Sequence, residues 1–267
     1  VRDAVSVLEP GSGYELAFYG GSFTAIPEAE QDALLAAVIP ARESGAVSAI
    51  RVSTRPDAIT EEKLARLRFY GVETVELGAQ SMCNEVLLRS GRGHTSEDTV
   101  KAAKLVKDAG FTLILQMMTG LPGGDDARDI ETARAIAALR PDGVRIYPTV
   151  IIQNTPLEEL WRAGKYRAHT VEDAVRVCAR ILPIFDSAGI PVIRLGLNPS
   201  DELSGGAAVA GAYHPALGEL VRSRLWRDKA EAMLSGVEPG EEVVLGVARF
   251  VFEDAGIVYP ILCGVSA

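Results

Sequence analysis

The feature that most constrains this chain is a phrase that recurs along it: an amphipathic run, a glycine, then a short β-rich run. It reads "ARESGAVSAIRVS", "LRFYGVETVEL", "VKDAGFTLILQMM", "LRPDGVRIYPTV" and "FDSAGIPVIRLGL", with the glycines at Gly45, Gly71, Gly110, Gly143 and Gly189. A helix that stops needs a residue after its cap that turns left-handed, and glycine does so without a Cβ clash. The runs before the glycines carry helix signals. Thr60 precedes Glu61 and Glu62, Thr170 with Asp173 resembles a capping box, and Ala174, Cys178, Ile181, Leu182 and Phe185 fall on one helical face. The runs after the glycines are apolar nearly throughout, as expected of parallel strands covered on both faces. The pattern predicts an α/β fold, a partial (β/α)6-type TIM barrel, with an open doubly wound sheet as its rival. Strands are expected near 14 to 19, 48 to 53, 72 to 77, 112 to 117, 144 to 149 and 191 to 196. Residues 1 to 10 read as a helix entering the first of these, so the alternation is expected to lack the strand before it.

After Leu197 the rhythm stops. "NPSDELSGGAAVAGAYHP" reads as a loop, "ALGELVRSRLWRDKAEAML" as a helix, and the last stretch from Glu241 alternates like strands. The expected organisation is a barrel over residues 1–197 and a small C-terminal extension over 198–267. No apolar run approaches the roughly 18 to 20 residues that cross a bilayer, and the N-terminus has no signal-peptide pattern, so the reading is soluble and cytoplasmic. Cys83, Cys178 and Cys263 are too far apart for a disulfide framework or a local metal motif, and Cys178 reads as core. A net charge of −9 argues against a broad phosphate-binding surface, although a single basic groove is compatible with it.

Ligands of parallel α/β sheets bind beyond the carboxyl ends of the strands. Those ends hold Tyr19-Gly20-Gly21-Ser22, Ser53-Thr54-Arg55, Glu76 to Ser81, Gln116-Met117-Met118 and Tyr147-Pro148-Thr149, an unusually polar and glycine-rich set. Gly20 and Gly21 offer main chain to a ligand; Glu76 and Gln80 suit hydroxyls or an ammonium; Arg55 and Arg92 suit a carboxylate. Each also has a plain structural reading. Gly-Gly after a strand makes a turn, Met117 and Met118 fill a core, Arg55 pairs with Asp57, and His94 bonds locally. No GxGxxG, P-loop, HExxH or GxSxG is present.

The ordered set is more specific than its parts. "GGSFTA" at 20–25, "TRPD" at 54–57, "ELGAQS" at 76–81, "RGHT" at 92–95, "MMTGLPG" at 117–123 and "IYPTVIIQNTPLEELWRAGKY" at 146–166 together resemble the radical S-adenosylmethionine (SAM) superfamily. Within it the likeness is to the group of the Elongator catalytic subunit and its bacterial relatives, over about residues 14–197. The resemblance implies a partial barrel in which a [4Fe–4S] cluster, held by a CxxxCxxC loop and fed by an electron donor, reduces SAM to a 5′-deoxyadenosyl radical. It implies that Gly20, Gly21 and Ser22, following Tyr19, meet the SAM amino group. It sets Glu76 and Gln80 at the polar groups of SAM, Arg92 at its carboxylate, Gln116 at the ribose and Tyr147 after the strand whose backbone neighbours the adenine. Thr54 and Arg55, in the matching "TRPD", join these as cofactor-binding candidates. The sequence holds no CxxxCxxC, so the cluster ligands are expected upstream of Val1. Nothing after Leu197 resembles an acetyltransferase domain. The substrate stays open: the family suggests RNA, and the acidic balance disfavours it. Two other readings stand beside this one. One is a cluster-free SAM-binding or scaffold barrel without turnover; the other is an unrelated barrel enzyme with Gly20 and Gly21 as a phosphate nest. For the latter, "RLGLNPSDE" puts acidic residues where a phosphate site belongs.

Overall fold

The computed structural model describes residues 1–198, 203–235, 244–251 and 258–266. Six parallel strands form one curled half-barrel sheet: β1 (Tyr14–Phe18), β2 (Val47–Thr54), β3 (Thr74–Gln80), β4 (Thr112–Thr119), β5 (Gly143–Pro148) and, beyond a short β6 (Val150–Ile152), β7 (Val192–Leu195). They pair in chain order β1-β2-β3-β4-β5-β7, so β1 and β7 are the sheet's edges. A singly wound order of this kind is what right-handed βαβ units produce when every crossover lies on the same side of the sheet. The six expected strands are present within a residue or three of their expected ends. The helix expected over residues 1 to 10 is shorter, α1 (Arg2–Ser6).

The crossovers carry α2 (Glu28–Ala36) and α3 (Ile39–Glu43), then α4 (Glu61–Phe69), α5 (Asn84–Arg89) and α6 (Ser96–Asp108), α7 (Asp126–Ala138), α8 (Pro156–Arg162) and α9 (Val171–Ser187). Their starts obey local chemistry. Thr60 accepts from the Lys63 N–H, and Thr170 and Asp173 close a reciprocal capping box that satisfies two orphan donors of α9. The stripe Ala174, Cys178, Ile181, Leu182 and Phe185 is buried against the sheet. Gly45, Gly71, Gly110 and Gly189 take the left-handed turn at φ between 68° and 77°. Gly143 does not: after α7 the left-handed residue is Arg140 at φ 51°, and Gly143 opens β5, where a Cβ would lie 3.1 Å from Ile114 Cδ1.

Strands apolar on both faces were the expectation, and only one face is so. Val52, Val75, Leu77, Leu113, Leu115, Met117, Val144 and Ile146 are fully buried in the main core. The alternate positions form a polar inner face: Arg51 and Ser53, Glu76, Gln116 and Met118, Arg145 and Tyr147. A lumen lined this way fits a half barrel and not a doubly wound sheet, whose second face would be apolar under helices.

The stretch expected as a loop after Leu197 contains a strand. β8 (Ala208–Gly211) pairs antiparallel with β6, and α10 (Leu217–Leu234) follows, burying Leu217 and Val221. Gly211 is required there, since at φ 103° a Cβ would meet the Thr149 carbonyl at 2.8 Å. β9 (Val244–Val251) and β10 (Val258–Ser266) pair antiparallel, and the loop between them lies outside the described residues, as do 199–202 of the expected loop. Among the described residues no helix is long and apolar enough to cross a membrane.

Candidate functional site

At the carboxyl ends of β1 to β4 lies a cavity of ≈ 410 Å³, within the range of small-molecule sites. The segment after β1 forms its first wall. Phe23 is buried and stacks at 5.1 Å on Phe18, closing a 3-10 turn over Phe23–Ala25. The Thr24 hydroxyl donates to the Ala58 carbonyl at 2.7 Å, so the 2.7 Å contact between Thr24 and Thr54 must use the Thr54 proton. Thr54 thus ties the glycine segment to β2. Gly20 turns at φ 97°, and no atom lies within 4 Å of a Cβ built on either Gly20 or Gly21. Gly20 answers to its backbone; Gly21 answers to open space beside it.

Nine expected residues line this cavity: Tyr19, Gly20, Gly21, Ser22, Thr54, Arg55, Gln80, Arg92 and Gln116. Ser53, Gly78, Gly91 and His94 join them, and the sequence did not single them out as ligand contacts. Arg55 Nε donates to Asp57 Oδ1 at 2.9 Å, so its charge already has a partner. Arg92 differs. Its Nη2 reaches only the Met118 sulfur at 2.9 Å, its Nε is buried without a hydrogen-bond partner, and burial alone pushes its guanidinium below the ordinary value. Gln80 Oε1 and His94 Nδ1 are likewise buried without partners. Unpaired buried polar groups cost about 1 to 3 kcal/mol each, and three of them stand together in the wall of this cavity.

Glu76 and Tyr147 lie outside the cavity lining, on the inner face below it. Glu76 is 1% exposed, with Arg145 Nε at 3.0 Å, Arg51 Nη1 at 3.7 Å and the Tyr19 hydroxyl at 3.2 Å. Arg51 also grips Glu15, and Arg145 donates to the hydroxyls of Tyr19 at 3.0 Å and Tyr147 at 3.4 Å. Burial and the Glu76 charge raise the Tyr19 phenol above its ordinary value. Tyr19 thereby joins the cavity rim to the charged lumen. A larger cavity of ≈ 620 Å³ between α1 and α2–α3 is lined by alanines, serines, Val5 and Pro40, without charge, and has no means of orienting a polar ligand.

No three His, Cys, Asp or Glu side chains among the described residues are grouped as metal ligands. Cys178 is buried in α9 with its thiol pushed up to about 12, and Cys83 is half-buried at the start of α5.

A family model described as the radical SAM superfamily matches residues 1–136, and one described as the radical SAM C-terminal domain matches 141–227. The mouse "Elongator complex protein 3" is 34% identical over 191 residues, covering 64% of this chain and 35% of that protein. A "tRNA uridine(34) acetyltransferase" of Methanocaldococcus infernus is 33% identical over 197 residues, covering 66% and 37%. The chain thus spans about a third of the length of the curated relatives it matches. Among solved structures, the Methanocaldococcus infernus Elp3 with an N-terminal deletion superposes with a TM-score of 0.72 at 26% identity, covering 93% of this chain and 64% of that one. Escherichia coli coproporphyrinogen III oxidase (HemN) shares the fold at a TM-score of 0.53 and 19% identity, covering 66% and 40%.

Proposed function

The chain belongs to the radical SAM superfamily, and from that premise we propose that it is the SAM-holding barrel of a radical SAM enzyme. The observation that carries the reading is the cavity at the strand ends with its three orphaned groups, Gln80 Oε1, Arg92 Nε and His94 Nδ1. They fit SAM: a zwitterion with ribose hydroxyls needs one cation without a competing carboxylate, neutral acceptors, and bare main chain. Arg92 would hold the α-carboxylate by a charge-assisted bond. Gly20 and Gly21 offer backbone groups to the ammonium, Gln80 its amide to the polar groups, and Gln116 its amide to the ribose. Thr54 and Phe23 hold the glycine segment in place, and Tyr19 leaves the SAM site facing the charged lumen where a substrate would enter. Bound SAM supplies, on one-electron reduction, a carbon radical that removes a hydrogen atom from a substrate.

The reducing group in this family is a [4Fe–4S] cluster, and the described residues do not fit it. Cys83 and Cys178 lie on different elements with no third ligand beside either. The proposal therefore places the cluster ligands outside this sequence. RNA modification is the finer suggestion, supported by relatives named for tRNA uridine acetylation and opposed by the net charge of −9. The second reading, a cluster-free barrel that binds SAM without turnover, rests on the same cavity.

Calorimetric titration of the chain with SAM tests the site; no binding would remove both readings. A CxxxCxxC in the coding sequence preceding Val1 separates them. A protein that includes it should yield 5′-deoxyadenosine from SAM under anaerobic, reducing conditions. An intact gene without it leaves the cluster-free barrel.

A further inference from the structure

β3 does not end as a regular strand. Its pairing with β4 slips between Gly78 and Gln80, and Gln80 takes φ 63°, a left-handed region that a residue with a Cβ rarely adopts. The turn folds the Gln80 amide back over Gly78, where a Cβ would lie 2.6 Å from Gln80 Nε2. The side chain ends in the cavity wall, 9% exposed, with Oε1 unpartnered. Strained backbone at a binding site persists only where its surroundings hold it.

His94 supplies the hold. The residue is 7% exposed, and Nε2 lies 3.1 Å from the Ala79 carbonyl. A carbonyl only accepts, so Nε2 carries the proton. The Ala79 carbonyl and the Gln80 N–H belong to one rigid peptide plane, so gripping the carbonyl fixes the plane from which Gln80 turns. That carbonyl also accepts the Ser81 N–H at 2.7 Å. It would stay paired without His94, and the imidazole bond is therefore not there merely to satisfy it.

We infer that His94 is a positioning residue for Gln80: by clamping the Ala79–Gln80 peptide it keeps Gln80 left-handed and its amide in the wall of the ligand cavity. The inference rests on the reading of that cavity as the SAM site, and it has a ligand-free consequence as well. Two variants of the full chain separate clamp from packing. His94→Gln keeps a donor at similar reach; His94→Phe keeps a ring and loses the donor. NMR of the ligand-free protein should show the Gln80 amide coupling of a positive φ in wild type and His94→Gln, and its loss in His94→Phe. SAM affinity by calorimetry should fall about tenfold in His94→Phe, the scale of one lost hydrogen bond, and recover in His94→Gln. Combined with Gln80→Ala, His94→Phe should add no further loss, because it acts through the same side chain. A His94→Phe protein with an unaltered Gln80 coupling, or an additive loss in the double variant, overturns the inference. If wild type binds no SAM, the reading of the cavity fails, and the Gln80 coupling still decides the role of His94. Should His94→Phe not fold, His94→Asn, whose shorter amide cannot reach the carbonyl, replaces it.

Discussion

Arg92 shows what the site holds in reserve at the scale of single residues. A half-buried guanidinium beside a methionine sulfur, its Nε buried and with no carboxylate to pair it, weakens the ligand-free protein. Arg92→Met should therefore leave thermal stability unchanged or raised, while SAM affinity drops by about 10- to 100-fold, the scale of a hydrogen bond to a charged group. Melting curves and calorimetry check both halves; a destabilised variant with full affinity would make Arg92 structural. Gly21 gives the complementary case. Its backbone needs no positive φ and the space beside it is open, so Gly21→Val should fold with stability within about 1 kcal/mol of wild type and lose SAM binding. Unchanged affinity would reduce the glycine pair to a turn. The sequence exposed Gly21 because it follows the end of a strand, and Arg92 because "RGHT" at 92–95 falls in the ordered set of motifs. It did not expose His94, whose part depends on a carbonyl fifteen residues away in the chain, nor the separation of Glu76 from the cavity. Side-chain alternation puts Glu76 on the inner face, but the arginines that claim it come from β2 and β5, and no local pattern names them.

Elements explain where such reasoning holds and where it stops. Caps, apolar stripes and strand ends follow from nearest neighbours, so α4, α9 and the six strands were legible. The Gly143 turn was not, because Arg140 took the left-handed position and Gly143 serves packing against Ile114. β8 was hidden for a related reason: four small residues become a strand only when β6 lies alongside. The α7 helix adds a buried carboxyl, Asp129, which accepts the Gly120 N–H at 2.9 Å and is pushed up to about 7, chiefly by burial, with Asp125 and Asp126 adding repulsion. In the fold this group keeps its proton to near neutral pH, whereas in the unfolded chain it ionises near its ordinary value of 3.8. Between those values the folded state binds more protons, so stability falls as pH rises, by up to about 1.4 kcal/mol per unit. Asp129→Asn, whose carbonyl can still accept from Gly120, should flatten that slope and be the more stable protein at pH 8. Urea denaturation at several pH values between 5 and 8 measures it; parallel slopes for variant and wild type would assign the pH dependence elsewhere.

At the scale of the whole molecule, the half barrel divides its sheet between an apolar outer face, which supplies the core, and a charged inner face, which lines the lumen. That division was only half legible, since strands read as uniformly apolar conceal the alternate arginines and glutamates of the lumen. It also bears on RNA. The arginines that face the lumen spend charge on Glu15 and Glu76, and the chain as a whole carries −9, so little cationic surface is left to displace counterions from a polynucleotide. Phosphate contacts reveal themselves by salt, each one lowering the logarithm of the binding constant by about 0.7 to 0.9 per tenfold rise in salt. Filter binding of the 267-residue chain to tRNA across a salt series should accordingly give weak affinity and a shallow slope, fewer than about two contacts. A steep slope with tight binding would instead locate a basic groove inside the acidic total and make RNA the substrate this barrel holds by itself. With the shallow slope, any RNA chemistry must draw its phosphate contacts from protein beyond these residues.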